Sequence, residues 1–517
     1  TQPKSYPPKK QLKINKFFIP QTIADPQEGD PCAILIDGVN KFWEIEKFQK
    51  FIQKRDIHFT KAIKKKNSTY ATLYFDNKED RADAYSKIIS SGDETGRYLF
   101  AVPLHRNFDL SKRECEQLRL RSLSDLDTRN IDNKIAPWNS IPYDEQLARK
   151  SAKFTEILRP ILPEPVSNIH IFPAPKQTAY RNKIELNIGH DLNGEVCVGF
   201  SLGSRIEDIM APIKSTINSP ERAPEIAEKL RQFVVETGLP VFNKITNQGT
   251  WKFCLMRTNE AGEIMLMMVI YGKVPTEVID AYKRAFENDV ASLYFCETDC
   301  FEGYGPHPNI IFLSGKQILI QELRGLKFEI SPLSFFQVNA TGAELLFSKI
   351  EELAYLDENT LLLDICCGTG VIGLSMARKV KMVVGVDIEE QAIEDARRNA
   401  ALNGITNAEY IAGKAENEMR SIIEKYVTDP EQRVVAIVDP PRAGLVKGAL
   451  IALRQCQSIK SLIYVSCNAD SLVNNATKQL CNERGSGPAP FQPVRWFGVD
   501  MFPQTDRCEI VMLMQRS

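Results

Sequence analysis

A chain of 517 residues exceeds what one hydrophobic core usually serves, so two to four domains are expected, at roughly 100 to 200 residues each. Lys+Arg 65 against Asp+Glu 66 leaves a formal net charge of -1, which excludes a globally basic nucleic-acid binder and confines any RNA surface to a local patch. The 12 cysteines lack paired spacing, no charged-then-apolar leader opens the sequence, and no apolar run approaches about 18 residues, so reduced thiols in the cytosol and nucleus are expected.

Residues 1–25 are Lys- and Pro-rich and read as a flexible tail. Residues 26–105 alternate in the order strand, helix, strand, strand, helix, strand: Ala33 to Ile36, Trp43 to Arg55, His58 to Lys64, Thr69 to Phe75, Lys78 to Ile89 and Tyr98 to Val102. That α+β order resembles an RNA-recognition motif, whose members stack bases on aromatics of the two central strands. In Tyr70-Ala71-Thr72-Leu73-Tyr74-Phe75, Tyr70 and Phe75 fit the longer signature of that family. Thr72 and Leu35 stand where aromatics are usual, and Ser68 where a basic residue is. Lys61, Lys64, Lys65 and Lys66 would supply phosphate contacts, so protein contact or nonspecific RNA contact is expected ahead of base readout.

Residues 106–140 are rich in charge and read as a linker with a helix about Lys112 to Leu120. Residues 141–330 open on the helix Tyr143 to Leu158 and continue as a β-rich region that is a candidate RNA-binding surface. Its strands are Ile184 to Ile188, Ile264 to Tyr271, Ser292 to Cys296, Ile310 to Leu313 and Ile318 to Gln321. Cys296 and Cys300 with His307 fit a zinc site poorly in spacing and ligand number, and are read as loop residues.

Residues 331–517 carry the chemistry. Thr360 to Asp364 is a short apolar strand, and Cys366-Cys367-Gly368-Thr369-Gly370-Val371-Ile372-Gly373 turns it into a helix, Leu374 to Lys379. Gly368, Gly370 and Gly373 satisfy G-x-G-x-x-G, whose glycines admit a nucleotide to the backbone and to helix N-terminal amides. The next strand, Met382 to Val386, ends at Asp387, about 20 residues on, where an acid can hold ribose hydroxyls. Asp364 precedes the glycines and Asp439 follows the strand Val434 to Val438. Acids at three successive strand ends disfavour a pyrophosphate and suit a sulfonium and an ammonium, which favours S-adenosyl-L-methionine over a dinucleotide. Taken singly, Asp364 and Asp387 read equally well as caps.

Asp439-Pro440-Pro441-Arg442 leaves its strand in a rigid extended form, with Arg442 available to a phosphate or a base carbonyl. The strand Ser461 to Val465 then delivers Cys467 to the same carboxyl edge, where open α/β sheets bind ligands. Cys467 is therefore a candidate thiolate nucleophile beside a cofactor pocket.

Asp439-Pro440-Pro441-Arg442, Tyr464-Val465-Ser466-Cys467-Asn468 and Met501-Phe502-Pro503-Gln504-Thr505-Asp506-Arg507-Cys508-Glu509 resemble the three signatures of the RNA uracil-5-methyltransferase family. Ser334-Phe335-Phe336-Gln337-Val338-Asn339 is similar to its cofactor-contacting segment, and Tyr180-Arg181-Asn182-Lys183 extends the likeness to about Ile141 to Ser517. With the N-terminal domain added, the chain resembles the eukaryotic homologue A branch of that family. The resemblance implies a Rossmann-like class I S-adenosylmethionine-dependent methyltransferase domain, with Cys467 as nucleophile at uracil C6 and Glu509 as the base at C5. It implies cofactor contacts from Gln337, Asp387 and Asp439, with Gly368, Gly370 and Cys366 in the glycine turn. Cys366 stands where bacterial relatives often carry an aromatic, and Val371 where many carry Asn. The implied substrate is tRNA at its T-loop uridine 54, gripped by Arg442, Tyr180, Arg181 and Lys183, with a protein partner open to the N-terminal domain. Tyr180 reads equally well as a core residue of a strand. The alternatives are a tRNA-folding chaperone and a pyrimidine-5-methyltransferase acting on another RNA or on cytosine.

Overall fold

In a computed structural model the described residues are 33–37, 39, 43–64, 70–89, 100–104, 131–202, 209–213, 216–244, 247–429, 431–483 and 488–516. The expected tail 1–25, Lys65, Lys66 and the helix about Lys112 to Leu120 lie outside them, as do the side chains of Leu35 and Tyr70. The chain divides into two compact units, Thr1–Leu126 and Asp127–Ser517.

In the first unit the strands Ala33–Asp37, Lys61–Ile63, Tyr70–Tyr74 and Phe100–Leu104 form an antiparallel sheet, with the first strand between the third and fourth. The helices Ile45–Gln53 and Lys78–Ile89 complete the element order read from the sequence. Alternation along the strands turns Ile34, Ile36, Ala71 and Leu73 inward against Phe48, Phe51, Ile52, Ala84 and Ile88, and Phe75 is buried with them. Thr72 and Tyr74 stay half-exposed, and the Lys61 ammonium lies 5.7 Å from the Tyr74 ring centre.

The second unit holds two large sheets. The middle one orders its strands Asn309–Gly315, Ser292–Thr298, Ile264–Tyr271, Trp251–Thr258, Lys183–His190, Val196–Ser201 and Met210–Pro212. Two helices that the sequence pattern did not reveal, Ala223–Thr237 and Thr276–Phe286, cover one face, so this region is α+β rather than purely β-rich. The hairpin Leu319–Leu323 and Leu326–Ile330 stands apart from that sheet and buries its apolar side chains in the catalytic core.

The catalytic sheet runs Ala408–Ala412, Met382–Asp387, Leu361–Ile365, Val434–Val438, Ile459–Ser466, Glu509–Gln515, Gln492–Val499 and Ile171–Phe172. Strands Ala408–Ala412 through Ile459–Ser466 are parallel, and Glu509–Gln515 enters antiparallel beside Ile459–Ser466. Both faces are covered, so Leu362, Val435 and Ile463 enter one core while Leu361, Leu363, Ala436 and Leu462 enter the other. From Leu361–Ile365 the chain winds first to one side and then to the other. The crevice at the carboxyl ends of Leu361–Ile365 and Val434–Val438 is therefore a topological switch point.

Two expected boundaries are corrected. The last residues of the expected linker 106–140 belong to the second unit: Ile131–Ile135 is helical, Ile131 and Ala136 are buried, and Lys134 donates to the carbonyls of Ser201 and Leu202 at 2.7 Å. The expected middle region 141–330 lends the helix Tyr143–Leu158 and the strand Ile171–Phe172 to the catalytic part, where Phe154, Leu158 and Ile171 are core residues. No helix among the described residues is long and apolar enough to cross a membrane.

Candidate active site

The glycine turn is built by close approach. Gly368 and Gly370 hold φ of 52° and 78°, left-handed values that glycine adopts without penalty, and Cys366 shares that region at 62°. A Cβ on Gly373 would stand 2.7 Å from Val383 Cγ1 and 2.9 Å from Asp364 Oδ2, so the third glycine lets the helix sit on the strand. Because Gly370 caps it, the helix is Val371–Met376 followed by a 3-10 turn, and not the expected Leu374 to Lys379.

The strand-end acids meet at this turn. The Gly373 N–H donates to Asp364 Oδ2 at 2.8 Å and the Gly368 N–H to Asp387 Oδ2 at 2.9 Å, so both carboxylates do cap the turn. Asp364 is fully buried, and its Oδ1 has no hydrogen-bond partner among the described residues. Burial, with the charges of Asp439 and Asp387 adding to it and the Gly373 N–H opposing, pushes its carboxyl up to about 7. Burial likewise pushes Asp439 up to about 7. The backbone of Asp439 is tied to this edge, its N–H donating to the Ile365 carbonyl at 3.3 Å. Cys366 and Cys367 both donate their backbone N–H to the Val386 carbonyl, and burial pushes the Cys366 thiol up to about 12.

Cys467 follows the strand Ile459–Ser466 and is half-buried. Asn468 donates from Nδ2 to the Arg442 carbonyl at 2.9 Å, tying the Asp-Pro-Pro-Arg exit to the cysteine-bearing strand. Since Ser466 pairs with Ile510 in an antiparallel register, Cys467 and Glu509 are the next residues across from one another. Glu509 is 5% exposed, and its Oε2 has no hydrogen-bond partner among the described residues. Burial, then the Asp439 charge, holds its carboxyl well above the usual carboxylate range, with Arg442 opposing. Burial, then Glu509 and Asp439, also raises the Cys467 thiol, again against Arg442.

A second wall comes from the middle sheet. Asn182 donates from its backbone to the Val338 carbonyl at 2.8 Å and from Nδ2 to the Gln337 carbonyl at 2.9 Å, and Arg181 pairs with Asn339. Arg257, buried, donates to the Pro332 carbonyl at 2.9 Å and to that of Ser334. The segment Ser334–Asn339, with half-exposed Gln337, is thus fixed from the middle sheet. Arg181 and Lys183 line a cleft of about 500 Å³ with Phe335, which is 67% exposed. Of the two readings of Tyr180 the structure takes the core one and corrects the RNA contact: it is 5% exposed and its hydroxyl donates to the Pro503 carbonyl at 3.0 Å, so it braces the loop before Glu509 and offers no face to a base. Burial lowers the Arg181 guanidinium, with Tyr180 opposing and the charges of Arg507 and Arg442, both near it, lowering it further.

A methyltransferase-domain family model matches residues 356–437, from just before the strand Leu361–Ile365 into Val434–Val438. The Mus musculus tRNA (uracil-5-)-methyltransferase homolog A is 33% identical over 432 residues, 75% of this chain and 69% of that protein. The chain belongs to the tRNA (uracil-5-)-methyltransferase family. The Homo sapiens homolog B is 34% identical over 389 residues, 71% of this chain and 74% of its own. Among solved structures, Pyrococcus abyssi tRNA (uracil-54, C5)-methyltransferase in complex with S-adenosyl-L-homocysteine matches with a TM-score of 0.57 at 25% identity, covering 73% of this chain and 84% of that one. The doubly wound sheet is accordingly the class I S-adenosylmethionine-dependent methyltransferase fold.

Against that family frame, two features escaped the sequence. Exposed Arg507 lay inside the terminal motif, two residues before Glu509, but only its proximity to Arg181 marks it. A polar face of the helix Tyr143–Leu158 grips the loop before Glu509, and nothing in the spacing of that helix signals a partner so distant in sequence.

Proposed function

We infer that this protein is a tRNA uracil-5-methyltransferase that uses S-adenosyl-L-methionine, with uridine 54 as its target. The observation that carries the reading is the placement of Cys467 and Glu509 at adjacent ends of two paired strands, one step beyond the Ser466–Ile510 pair, in a chain of this family. The pocket suits the cofactor because Asp364 keeps a buried, unpartnered carboxylate oxygen among like charges, an arrangement that a cationic ligand relieves. Gln337, Asp387, Asp439 and the turn Cys366 to Gly370 would hold it. When bound, S-adenosyl-L-methionine supplies the methyl group on a sulfonium.

Uracil C5 is a weak nucleophile, so the Cys467 thiolate adds to C6 and makes C5 enolate-like. After methylation the Glu509 carboxylate takes the C5 proton, the C5–H electrons form the C5=C6 bond, and the C6–S bond breaks to release the thiolate. The raised Glu509 carboxyl is the stronger base for that step, and a neighbouring cation would ionise it. The raised Cys467 thiol needs the same help, which Arg442 supplies in part.

Arg181, Lys183, Arg442 and Arg507 would grip phosphates around a base flipped out of the T-loop. The order of strands and helices in the first unit supports an RNA-recognition-motif-like reading. Half-exposed Thr72, with Lys61 beside Tyr74, favours protein or nonspecific RNA contact there over base stacking. The compartments this reading expects are the cytosol and nucleus.

The test is 5-fluorouracil-containing tRNA with cofactor, since fluorine at C5 blocks the final proton removal. A covalent protein–RNA complex is expected from the wild type and none from Cys467→Ala. An adduct that survives Cys467→Ala would refute the mechanism, and tRNA refolding without any 5-methyluridine would support a chaperone instead.

A further inference from the structure

We propose that the helix Tyr143–Leu158 is a positioning device for Glu509, acting through a buried Lys150–Asp500 ion pair that fixes the loop 500–506. The proposal rests on the reading of Glu509 as the base at C5. Tyr143, Gln146, Lys150 and Lys153 recur at i, i+3, i+7 and i+10, which places them on one face of the helix. All four reach the same loop, which joins the strand Gln492–Val499 to the strand that Glu509 opens. Lys150 Nζ lies 2.6 Å from Asp500 Oδ1, with both side chains fully buried, and donates to the Phe502 carbonyl at 3.1 Å. The Tyr143 hydroxyl donates to Asp500 Oδ2 at 3.0 Å. Gln146 and Gln504 exchange two hydrogen bonds, Nε2 to Oε1 at 2.8 Å and the Gln504 N–H to Gln146 Oε1 at 2.9 Å. Lys153 closes the row on Asp506 at 2.7 Å.

The loop needs such a hold. Gln504 sits at φ 68°, a left-handed conformation rare for a side-chain-bearing residue, and its carbonyl also accepts from the Trp138 N–H at 2.9 Å. Among the described residues Glu509 Oε2 has no hydrogen-bond partner, which leaves the backbone that leads into it as the hold on its place. Stability alone does not account for the pair. A buried ion pair is often no more stabilising than apolar residues of the same volume, whereas removing one partner strands the other. The same helix already turns Phe154 and Leu158 into an apolar core, so an apolar contact with the loop was open to it.

The experiment uses the full chain and tRNA bearing ordinary uridine. Lys150→Met is expected to lower kcat by about 10- to 100-fold, the cost of a small misplacement of a reacting group, with KM for tRNA and for cofactor within about twofold. A methylated covalent protein–RNA complex should accumulate, because proton removal at C5 is the step impaired. Lys150→Met with Asp500→Leu removes both charges and is expected to regain the wild-type Tm but not kcat. Recovery of kcat together with Tm would reduce the pair to a structural role and overturn the proposal. If Lys150→Met does not fold, Lys153→Ala, at a side chain 39% exposed, decides the matter: slower adduct breakdown at unchanged Tm is expected, and wild-type adduct kinetics would overturn it. A wild type that makes no 5-methyluridine refutes the functional reading itself, separately from the clamp.

Discussion

Two sets of charged groups border the strand ends of the catalytic sheet, and they act through different physics. Asp364 and Glu509 are buried and Asp439 is half-buried beside them, so their ionisation is displaced and depends on which charge arrives beside them. Arg442 and Arg507 are exposed, and Arg181 and Lys183 are half-covered. Such cations attract phosphates by releasing counterions, which responds to salt. The cofactor side should therefore be governed by pH and the RNA side by ionic strength, and single substitutions can separate them.

The largest effects are expected where the two sets meet. Cys467→Ala removes the bond to C6 and should take 5-methyluridine formation below detection by nucleoside mass spectrometry. Glu509→Gln should lower turnover by about 10²- to 10⁴-fold, the range of a lost general base, while a methylated adduct collects on denaturing gels. Free turnover by Glu509→Gln would move the base elsewhere. On the RNA side, Arg442→Gln or Arg507→Gln should each weaken tRNA binding about tenfold at low salt and flatten the slope of log K against log salt by about 0.7 to 0.9. Cofactor affinity should stay unchanged. Equal salt slopes in wild type and Arg507→Gln would remove Arg507 from the RNA surface.

Asp364, Asp439 and Cys467 were legible in the sequence because parallel, doubly covered strands are apolar runs and the residue that carries chemistry lies at their carboxyl ends. Asp439 after Val434–Val438 and Cys467 after Ile459–Ser466 are of this kind. Glu509, which opens an antiparallel strand, entered only through the family resemblance. Of the basic set, Arg442, Arg181 and Lys183 stand in motifs and were readable. Arg507 and the clamp were not, because the clamp is assembled from distant segments: Lys150 and Asp500 are 350 residues apart. The strand Trp251–Thr258 was masked by Lys252 and Arg257, both buried, whose charges are met by carbonyls of other loops. Tyr180 could be read as an RNA contact or as a core residue, and the backbone partner of its hydroxyl, 323 residues away, was not visible in the sequence. In the first unit the alternation of strands and helices was readable, since one half-buried sheet with two helices gives clean periods.

The smallest expected effect is also the sharpest division between the two sets. Asp364 is raised from an ordinary 3.8 to about 7, and Asp439 likewise. The folded form without cofactor thus holds these protons more tightly than the unfolded chain does. Their contribution to stability is present below pH 3.8 and is lost as the pH rises through about 7. A cationic cofactor favours the ionised acids, so its binding should release protons below pH 7 and tighten as the pH rises to 8. Its stabilising increment in Tm should be larger at pH 8 than at pH 5.5 by about 2 °C. Calorimetry in buffers of different ionisation enthalpy measures the released protons directly. Asp439→Asn should remove part of that release and leave the salt dependence of tRNA binding untouched. Cofactor binding with no proton release between pH 5.5 and 7 would mean that the strand-end acids are already ionised in the free protein.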